Sequence, residues 1–332
     1  MKRSDLRGGV TDSGTCPSTP VGERHLRYTQ LRQGPSRQWS VSDLARRPSD
    51  TRPFFNCHPT HLWACGNVHV MEPDILAYYN EGREQNRLES NGRLEFLRTQ
   101  ELLLRHLPPP PASVVDIGGG AGIHALPLQE SGFNVTLIDP VELHVQQARA
   151  AGVMNAFVGD ARHLQFEDDS ADAALLLGPL YHLTEVSDRI GALKEARRVT
   201  RPGGLLVGAC ISRFASTYDG VALKYFSDPE FDAIVADDLA LGQHRNPTRR
   251  TGWFTTAFFH RPEDIAAEVA EAGWSNVSIV AVEGPGAFAD EDYWLQDSSR
   301  QDALLLAIRR TESEPSILGA SPHMIVLAHN HR

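Results

Sequence analysis

Three aspartates end three apolar runs in this chain. Asp116 sits in Val114-Val-Asp-Ile117, Asp139 ends Val135-Thr-Leu-Ile-Asp139, and Asp160 follows Ala156-Phe-Val-Gly159. Directly after the first acid comes Gly118-Gly119-Gly120-Ala121-Gly122. Glycines at alternate positions let a backbone turn tightly and approach a ligand with no Cβ in the way. A helix opening near Gly122 would aim free N–H groups at the same spot, which suits a carboxylate or a phosphate. A carboxylate at Asp139, followed by Pro140, can accept hydrogen bonds from both hydroxyls of a ribose. Asp160 and Ala161 can face an adenine amino group, although an acid at that position also caps turns. Together the three acids and the glycine turn describe a pocket for a nucleoside-bearing ligand.

Such residues work only if strand ends hold them side by side. The apolar periodicity predicts helix over 72–107, stopped by Pro108-Pro-Pro-Pro111. Strands follow at 113–117, 134–138, 156–158 and 171–177, with helices at 123–131, 141–151 and 187–199 between or after them. Ser187 is a candidate N-cap of the last helix. Arg201-Pro-Gly-Gly204 reads as a turn before a strand at 205–211. Alternation resumes later with a helix at 262–272, a strand at 277–282, a helix at 297–310 and a strand at 324–328. This rhythm predicts an α/β fold of Rossmann-like type, a seven-stranded and mostly parallel sheet with helices on both faces. Open sheets of this kind bind ligands at the carboxyl ends of the strands, where strand order reverses.

The glycine turn alone fits two cofactors. A dinucleotide fingerprint counted from Gly118 needs glycine at 123, where Ile123 stands; counted from Gly120 it fits only with Ala125 in the last place. An NAD-dependent dehydrogenase is therefore the alternative reading, and Asp116 ahead of the glycines argues against it. The set as a whole resembles the class I S-adenosylmethionine (SAM)-dependent methyltransferases. Asp116-x-Gly118-x-Gly120-x-Gly122 is similar to that family's first motif, and Asp139 to its second acid. Gly159-Asp160 resembles its adenine motif, Leu175-Leu-Leu-Gly-Pro-Leu-Tyr-His-Leu183 occupies its fourth-motif position, and Arg198-Val-Thr-Arg-Pro-Gly-Gly-Leu-Leu206 its fifth strand. The resemblance runs from about residue 72 to the C-terminus. The Gly-Pro-Leu-Tyr-His-Leu version looks like a bacterial small-molecule branch, and the Asn/Asp-Pro-Pro-Tyr signature of amino-group methylation on nucleic acids is absent from the sequence.

The resemblance implies a division of labour: Asp116, Gly118, Gly119, Gly120 and Gly122 on the methionine part of SAM, Asp139 and Pro140 on the ribose, Asp160 and Ala161 on the adenine, and Gly178 beside the sulfonium. It implies transfer of a methyl group to a small-molecule acceptor by in-line displacement (EC 2.1.1.-), or, as a further alternative, a SAM-binding regulator that transfers nothing. His182 and His260 are the candidate bases, with Tyr181 as an orienting group, because histidine titrates near neutrality. The competing reading of Tyr181 and His182 is packing, and that of His260 is a helix entry at His260-Arg-Pro-Glu263. His124 reads as a local packing or capping group. The helix before the sheet offers Tyr78, Tyr79, Glu84 and Arg87 to the cofactor side, and Arg87 or Arg98 for the methionine carboxylate. An aromatic insertion at about 212–259, carrying Phe214, Tyr218, Tyr225, Phe226, Phe231, Trp253, Phe254, Phe258 and Phe259, is the candidate lid over the acceptor.

Composition narrows the setting. The chain has 332 residues and a formal charge of −10. Residues 1–70 carry +5, from 10 Lys and Arg against 5 Asp and Glu, and the remainder carries −15, from 22 against 37. A body this acidic repels a phosphate backbone, so nucleic acid is not the expected partner. No apolar run of membrane-spanning length and no signal-type leader is evident, and four cysteines give no disulfide framework, so a cytoplasmic setting is expected. Residues 1–70 are rich in Arg, Ser, Thr, Pro and Gly and are expected to be mostly disordered, either a dispensable extension to a methyltransferase domain at 71–332 or sequence upstream of a functional start at Met71. Cys57, His58, His61, Cys65 and His69 crowd together there, but their spacing matches no standard zinc pattern, and no metal is expected. Oligomeric state is not legible from the sequence.

Overall fold

The computed structural model describes residues 72–80, 92–250 and 252–332. The extension at 1–70 with its Cys/His cluster, and Glu84 and Arg87, lie outside the described residues. Strands are β1 (Ser113–Ile117), β2 (Asn134–Asp139), β3 (Ala156–Val158), β4 (Ala171–Leu176), β5 (Thr200–Ile211), β6 (Gln243–His244), β7 (Ala257–Phe258), β8 (Ser275–Ala281) and β9 (His323–His329). Helices are α1 (Pro73–Asn80), α2 (Arg93–His106), α3 (Ala125–Glu130), α4 (Glu142–Ala151), α5 (Pro179–His182), α6 (Val186–Val199), α7 (Ala215–Ala222), α8 (Pro229–Leu241), α9 (Pro262–Glu271), α10 (Glu291–Trp294) and α11 (Ser298–Arg309).

Seven strands form one sheet in the order β3-β2-β1-β4-β5-β9-β8. The pairs from β3 to β5 are parallel, and β9 runs antiparallel to both β5 and β8. Period-2 alternation within buried strands separates the two faces. Val114, Leu137, Leu175 and Val207 pack with Leu102 and Leu103 of α2, Leu128 of α3 and Val145 of α4. Val115, Ile138, Leu176 and Leu206 pack on the other face with Leu193 and Ala196 of α6 and Ile265 and Val269 of α9. Both faces are covered, as the near-continuous apolar strands require. Each such Val, Leu or Ile side chain, fully buried, contributes about 1.5–3 kcal/mol.

The expected α/β architecture is the one observed, with three local differences. Helix α3 opens at Ala125 rather than at 123. Helix α6 opens at Val186, with Glu185 at its cap and no side-chain cap bond, so Ser187 lies inside the first turn and does not cap it. The Pro-Gly-Gly turn is absorbed into β5 as a bulge, between the pairs Ala171 with Thr200 and Ala173 with Leu205. Gly203, at φ +78°, donates its N–H to the Asn330 carbonyl at 2.6 Å, and Asn330 donates back to Gly204 at 2.9 Å. The chain's last residues thereby hold as an extended bulge what local sequence reads as a free turn. The aromatic insertion folds into α7, α8 and the β6–β7 ribbon, and Phe231, Trp253 and Phe259 are buried in it as ordinary core.

Candidate functional site

Strand order reverses between β1 and β4, and a cavity of about 400 Å³ opens at their carboxyl ends. Two loops meet there at backbone distance. A Cβ on Gly118, whose φ is +72°, would lie 2.6 Å from Pro179 Cδ, and one on Gly178 would lie 3.1 Å from the Gly118 carbonyl oxygen. Glycine is required at 118 by both conformation and space.

The turn uses its own amides. Gly118 and Gly119 donate to the Ile138 carbonyl at 2.7 and 3.3 Å, Gly122 donates to Gly119 at 3.0 Å, and Gly120 donates to Asp139 Oδ2 at 2.8 Å. The amides of Gly118, Gly119, Gly120 and Gly122 are therefore spent on shaping the turn. What the turn presents instead is an acid. Asp116 is 1% exposed and lines the cavity, and neither carboxylate oxygen has a hydrogen-bond partner among the described residues. Burial, and then the neighbouring Asp139, push its pKa up to about 7. A buried acid with both oxygens unpaired is costly and calls for a ligand that donates to it.

Asp139 is braced from three sides. Besides Gly120, it accepts from the Val141 N–H at 2.9 Å, and His144 Nδ1 lies 3.0 Å from Oδ1. His144 also lines the cavity. Sequence reading missed it, although its place in the first turn of α4, five residues after the acid, was an available signal. Asp160 lines the cavity too, with Ala161 and Pro140, but Arg162 grips both its oxygens at 2.9 and 2.6 Å and its own backbone is capped by Oδ1 at 2.8 Å. The turn-capping role is present, and Arg162 is a second cavity residue that sequence reading passed over.

Tyr181 and His182 line the cavity from α5. The hydroxyl of Tyr79, from α1, is hydrogen-bonded to His182 Nε2. The Tyr79 ring stands edge-on to His182 and to His144, with centroids 5.1 and 5.0 Å away. Burial drives the His182 pKa down to about 4, with the Thr256 backbone offsetting part of the shift. His260 is elsewhere. It is not among the cavity's lining residues; it is fully buried, with Nε2 3.4 Å from Glu268, and burial lowers its pKa. Glu268 is shared with Arg189, whose Nη2 is 2.6 Å from Oε1. The structure thus brings together Asp116, the glycine turn, Asp139, Asp160, Gly178, Tyr181 and His182, and leaves His260 in a structural ion cluster. Arg98 is also remote, buried against Glu101, Glu312 and the Val282 carbonyl. His124 lines the cavity, stacked on Phe96 and 2.8 Å from Gln100.

The Methyltransferase domain family matches residues 115–208, the span that holds every one of these cavity acids. The chain is 36% identical over 170 residues to the demethylmenaquinone methyltransferase of Mycolicibacterium paratuberculosis, covering 51% of this chain and 70% of that protein. It is 32% identical over 176 residues to that of Beutenbergia cavernae, covering 51% and 68%. Among solved structures, a SAM-dependent methyltransferase of Thermotoga maritima, described as a possible histamine N-methyltransferase, aligns with a TM-score of 0.49 at 21% identity, covering 79% of this chain and all of that one. The chain belongs to the SAM-dependent methyltransferases. Its cofactor is SAM, and between the two readings of the glycine turn the methyl donor prevails over NAD. Among the described residues, no helix is long and apolar enough to cross a membrane.

Proposed function

We propose that this chain moves a methyl group from SAM to a small-molecule acceptor by in-line displacement, and that the acceptor is a planar, weakly acidic ring such as a quinol. One observation carries the cofactor half. Asp116 offers two buried, unpaired oxygens at the end of β1, beside a turn whose positive-φ glycines keep side chains away. That group fits the ammonium of the methionine part. Asp139, braced by Gly120 and His144, is positioned for the ribose, the Asp160–Arg162 pair for the adenine, and Gly178 for the space beside the sulfonium. SAM, when bound, supplies a methyl group made electrophilic by the positive sulfur. The protein's part is alignment and exclusion of water, worth up to roughly 7–11 kcal/mol when reacting groups are well placed.

The acceptor half rests on the relatives' named substrate and on the Tyr181 and His182 rings of the cavity wall, with Phe254 packed behind them. Phe254 lies 5.9 Å from His182 and 6.4 Å from Tyr181, centroid to centroid. Tyr79 occupies His182 Nε2, and burial that drives the ring's pKa down to about 4 makes it a weak base, so His182 serves there as wall. The insertion at 212–259 supplies none of the residues that line the cavity and packs behind its wall through Phe254, and the Gly178–Leu183 motif suits the small-molecule branch. The test is transfer of a labelled methyl from SAM to a demethylnaphthoquinol with a short side chain, run beside phenol, amine and thiol acceptors. Label in the quinol supports the reading; label confined to amines or thiols removes the quinol, and no label in any acceptor removes methyl transfer to small molecules.

A further inference from the structure

Asp139 has less to give a ribose than its position suggests. A carboxylate offers about four lone-pair directions, two on each oxygen. Three of those on Asp139 are already taken: Oδ2 accepts from the Gly120 N–H at 2.8 Å, and Oδ1 accepts from the Val141 N–H at 2.9 Å and from His144 Nδ1 at 3.0 Å. The open direction on Oδ2 is what Asp139 keeps for the cavity it lines. The two adjacent hydroxyls of a ribose each bring a proton to donate. Asp139 can receive one of them, and the other needs a second acceptor.

His144 carries such an acceptor at the same spot. It lines the same cavity and is 8% exposed. Val141 is the cap residue of α4 and His144 follows in the helix's first turn. Side chains there lean back toward the helix N-terminus, which turns this ring toward the acid that precedes the cap. A carboxylate only accepts, so the Asp139 contact places the ring proton on Nδ1 and leaves a lone pair on Nε2. No hydrogen bond reaches that Nε2 among the described residues. Two contacts fix the ring: Asp139 holds Nδ1, and the Tyr79 ring, itself tied to His182, stands edge-on at 5.0 Å.

We propose that His144 and Asp139 divide the ribose of the methyl donor between them, one of its adjacent hydroxyls donating to Asp139 Oδ2 and the other to His144 Nε2. The inference rests on the reading that Asp139 meets the ribose. The division sets a requirement on the ligand, a sugar with two adjacent free hydroxyls. A deoxyribose leaves one of the two acceptors bare, whichever hydroxyl is missing, and a buried acceptor without a donor is costly. His144 is thus a specificity residue for the donor and takes no part in moving the methyl group.

The test is calorimetric titration of the full chain with S-adenosylhomocysteine and with its 2′-deoxy and 3′-deoxy analogues. A wild-type chain that binds no S-adenosylhomocysteine counts against the cofactor reading itself. A wild-type chain that binds it is expected to bind each analogue about five- to a hundredfold more weakly. An analogue that binds as tightly as the parent overturns the division and leaves the cofactor reading standing, whether or not any variant folds. Two variants then separate the two ring nitrogens. His144→Asn keeps a donor in place of Nδ1 and has no atom at Nε2; His144→Gln sets its amide oxygen in place of Nε2 and gives up the contact with Asp139. The Asn variant is expected to bind S-adenosylhomocysteine about fivefold or more weakly, with one deoxy analogue bound no worse than the parent, and the Gln variant to stay within about threefold of wild type and to keep both deoxy penalties. The reverse order, Asn harmless and Gln impaired, makes His144 a brace for Asp139 alone and overturns the proposal. An Asn variant that keeps both deoxy penalties overturns it equally.

Discussion

The hydroxyl of Tyr79 closes on Nε2 of His182 from a helix that lies before the sheet in sequence, 103 residues away. The contact joins α1 to α5 in one wall of the cavity. Helix α1 is anchored near it by Glu72, which accepts from Thr184 Oγ1 at 2.7 Å and pairs with Arg245 at 3.2 Å. Tyr79→Phe should remove the bond and keep the ring. A neutral hydrogen bond is worth about 0.5–1.5 kcal/mol. Binding of S-adenosylhomocysteine should weaken by about two- to tenfold by calorimetry, with the unfolding temperature lowered by a few degrees; unaltered affinity would show that the contact does not help to hold the cofactor.

Asp116 makes cofactor affinity depend on pH. Its pKa of about 7 stands well above the ordinary value of 3.8, and an ammonium ligand favours the ionised form. Binding should therefore expel a proton below pH 7, and affinity should rise with pH up to about 7 and then level. Calorimetry in buffers of different ionisation heat reads the released proton directly; proton uptake on binding at pH 6 would contradict the assignment.

The same acid and His182 pull stability in opposite directions. Asp116 is protonated in the folded chain and ionised in the unfolded one between pH 3.8 and 7, so its contribution to stability falls as pH rises through that window. His182, with its pKa lowered from 6.5 to about 4, is neutral when folded and charged when unfolded, so its contribution rises with pH between 4 and 6.5. The two windows overlap and partly cancel. Asp116→Asn should leave a stability profile that climbs with pH from 4 to 6.5, and His182→Asn one that falls. Denaturant unfolding of both variants across that range gives the signs.

Gly119 has no room for a side chain. A Cβ there would lie 2.5 Å from Asp116 Oδ2 and 2.8 Å from Leu137 Cδ1. Gly119→Ala should cost about 1–3 kcal/mol of stability, as overpacked positions do, and should displace the acid that receives the cofactor. Thermal unfolding and SAM titration on the same sample check both; a neutral variant with full binding would show that the turn relaxes.

Glu268 holds a cluster together. Burial raises its carboxyl, but hydrogen bonds and charge from Arg189 and His260 outweigh burial and leave its pKa below the ordinary value. Arg189 also donates to the Leu183 and Thr184 carbonyls at 2.9 Å, directly after the cavity residues of α5. Glu268→Ala strands a buried guanidinium and should cost about 3–5 kcal/mol in denaturant unfolding. A change below about 1 kcal/mol would show that Arg189 finds another partner.

These relationships separate what local sequence carries from what it does not. Strands β1 and β3 were legible to the residue, because an apolar run ending in an acid and a glycine is a local pattern. So was the set of strand-end acids, since each stands in the last residues of its own strand or just past them. The start of α6 was misplaced because Glu185 and Ser187 are both plausible starts, and no side chain caps that end. The bulge at Pro202–Gly204 depends on Asn330, 126 or more residues away in sequence, and nothing near it announces that partner. His260 looked catalytic by residue type, and only packing reveals Glu268 and Arg189 around it.

The account turns on Asp116 as the receiver of a methyl donor. The most direct measurement is calorimetric titration of the wild-type chain and of Asp116→Ala with SAM, S-adenosylhomocysteine and NAD. One SAM or S-adenosylhomocysteine per wild-type chain is expected, with no NAD binding and no measurable SAM binding by Asp116→Ala in a chain that remains folded. Tight NAD binding, or SAM binding that survives the loss of Asp116, would contradict it.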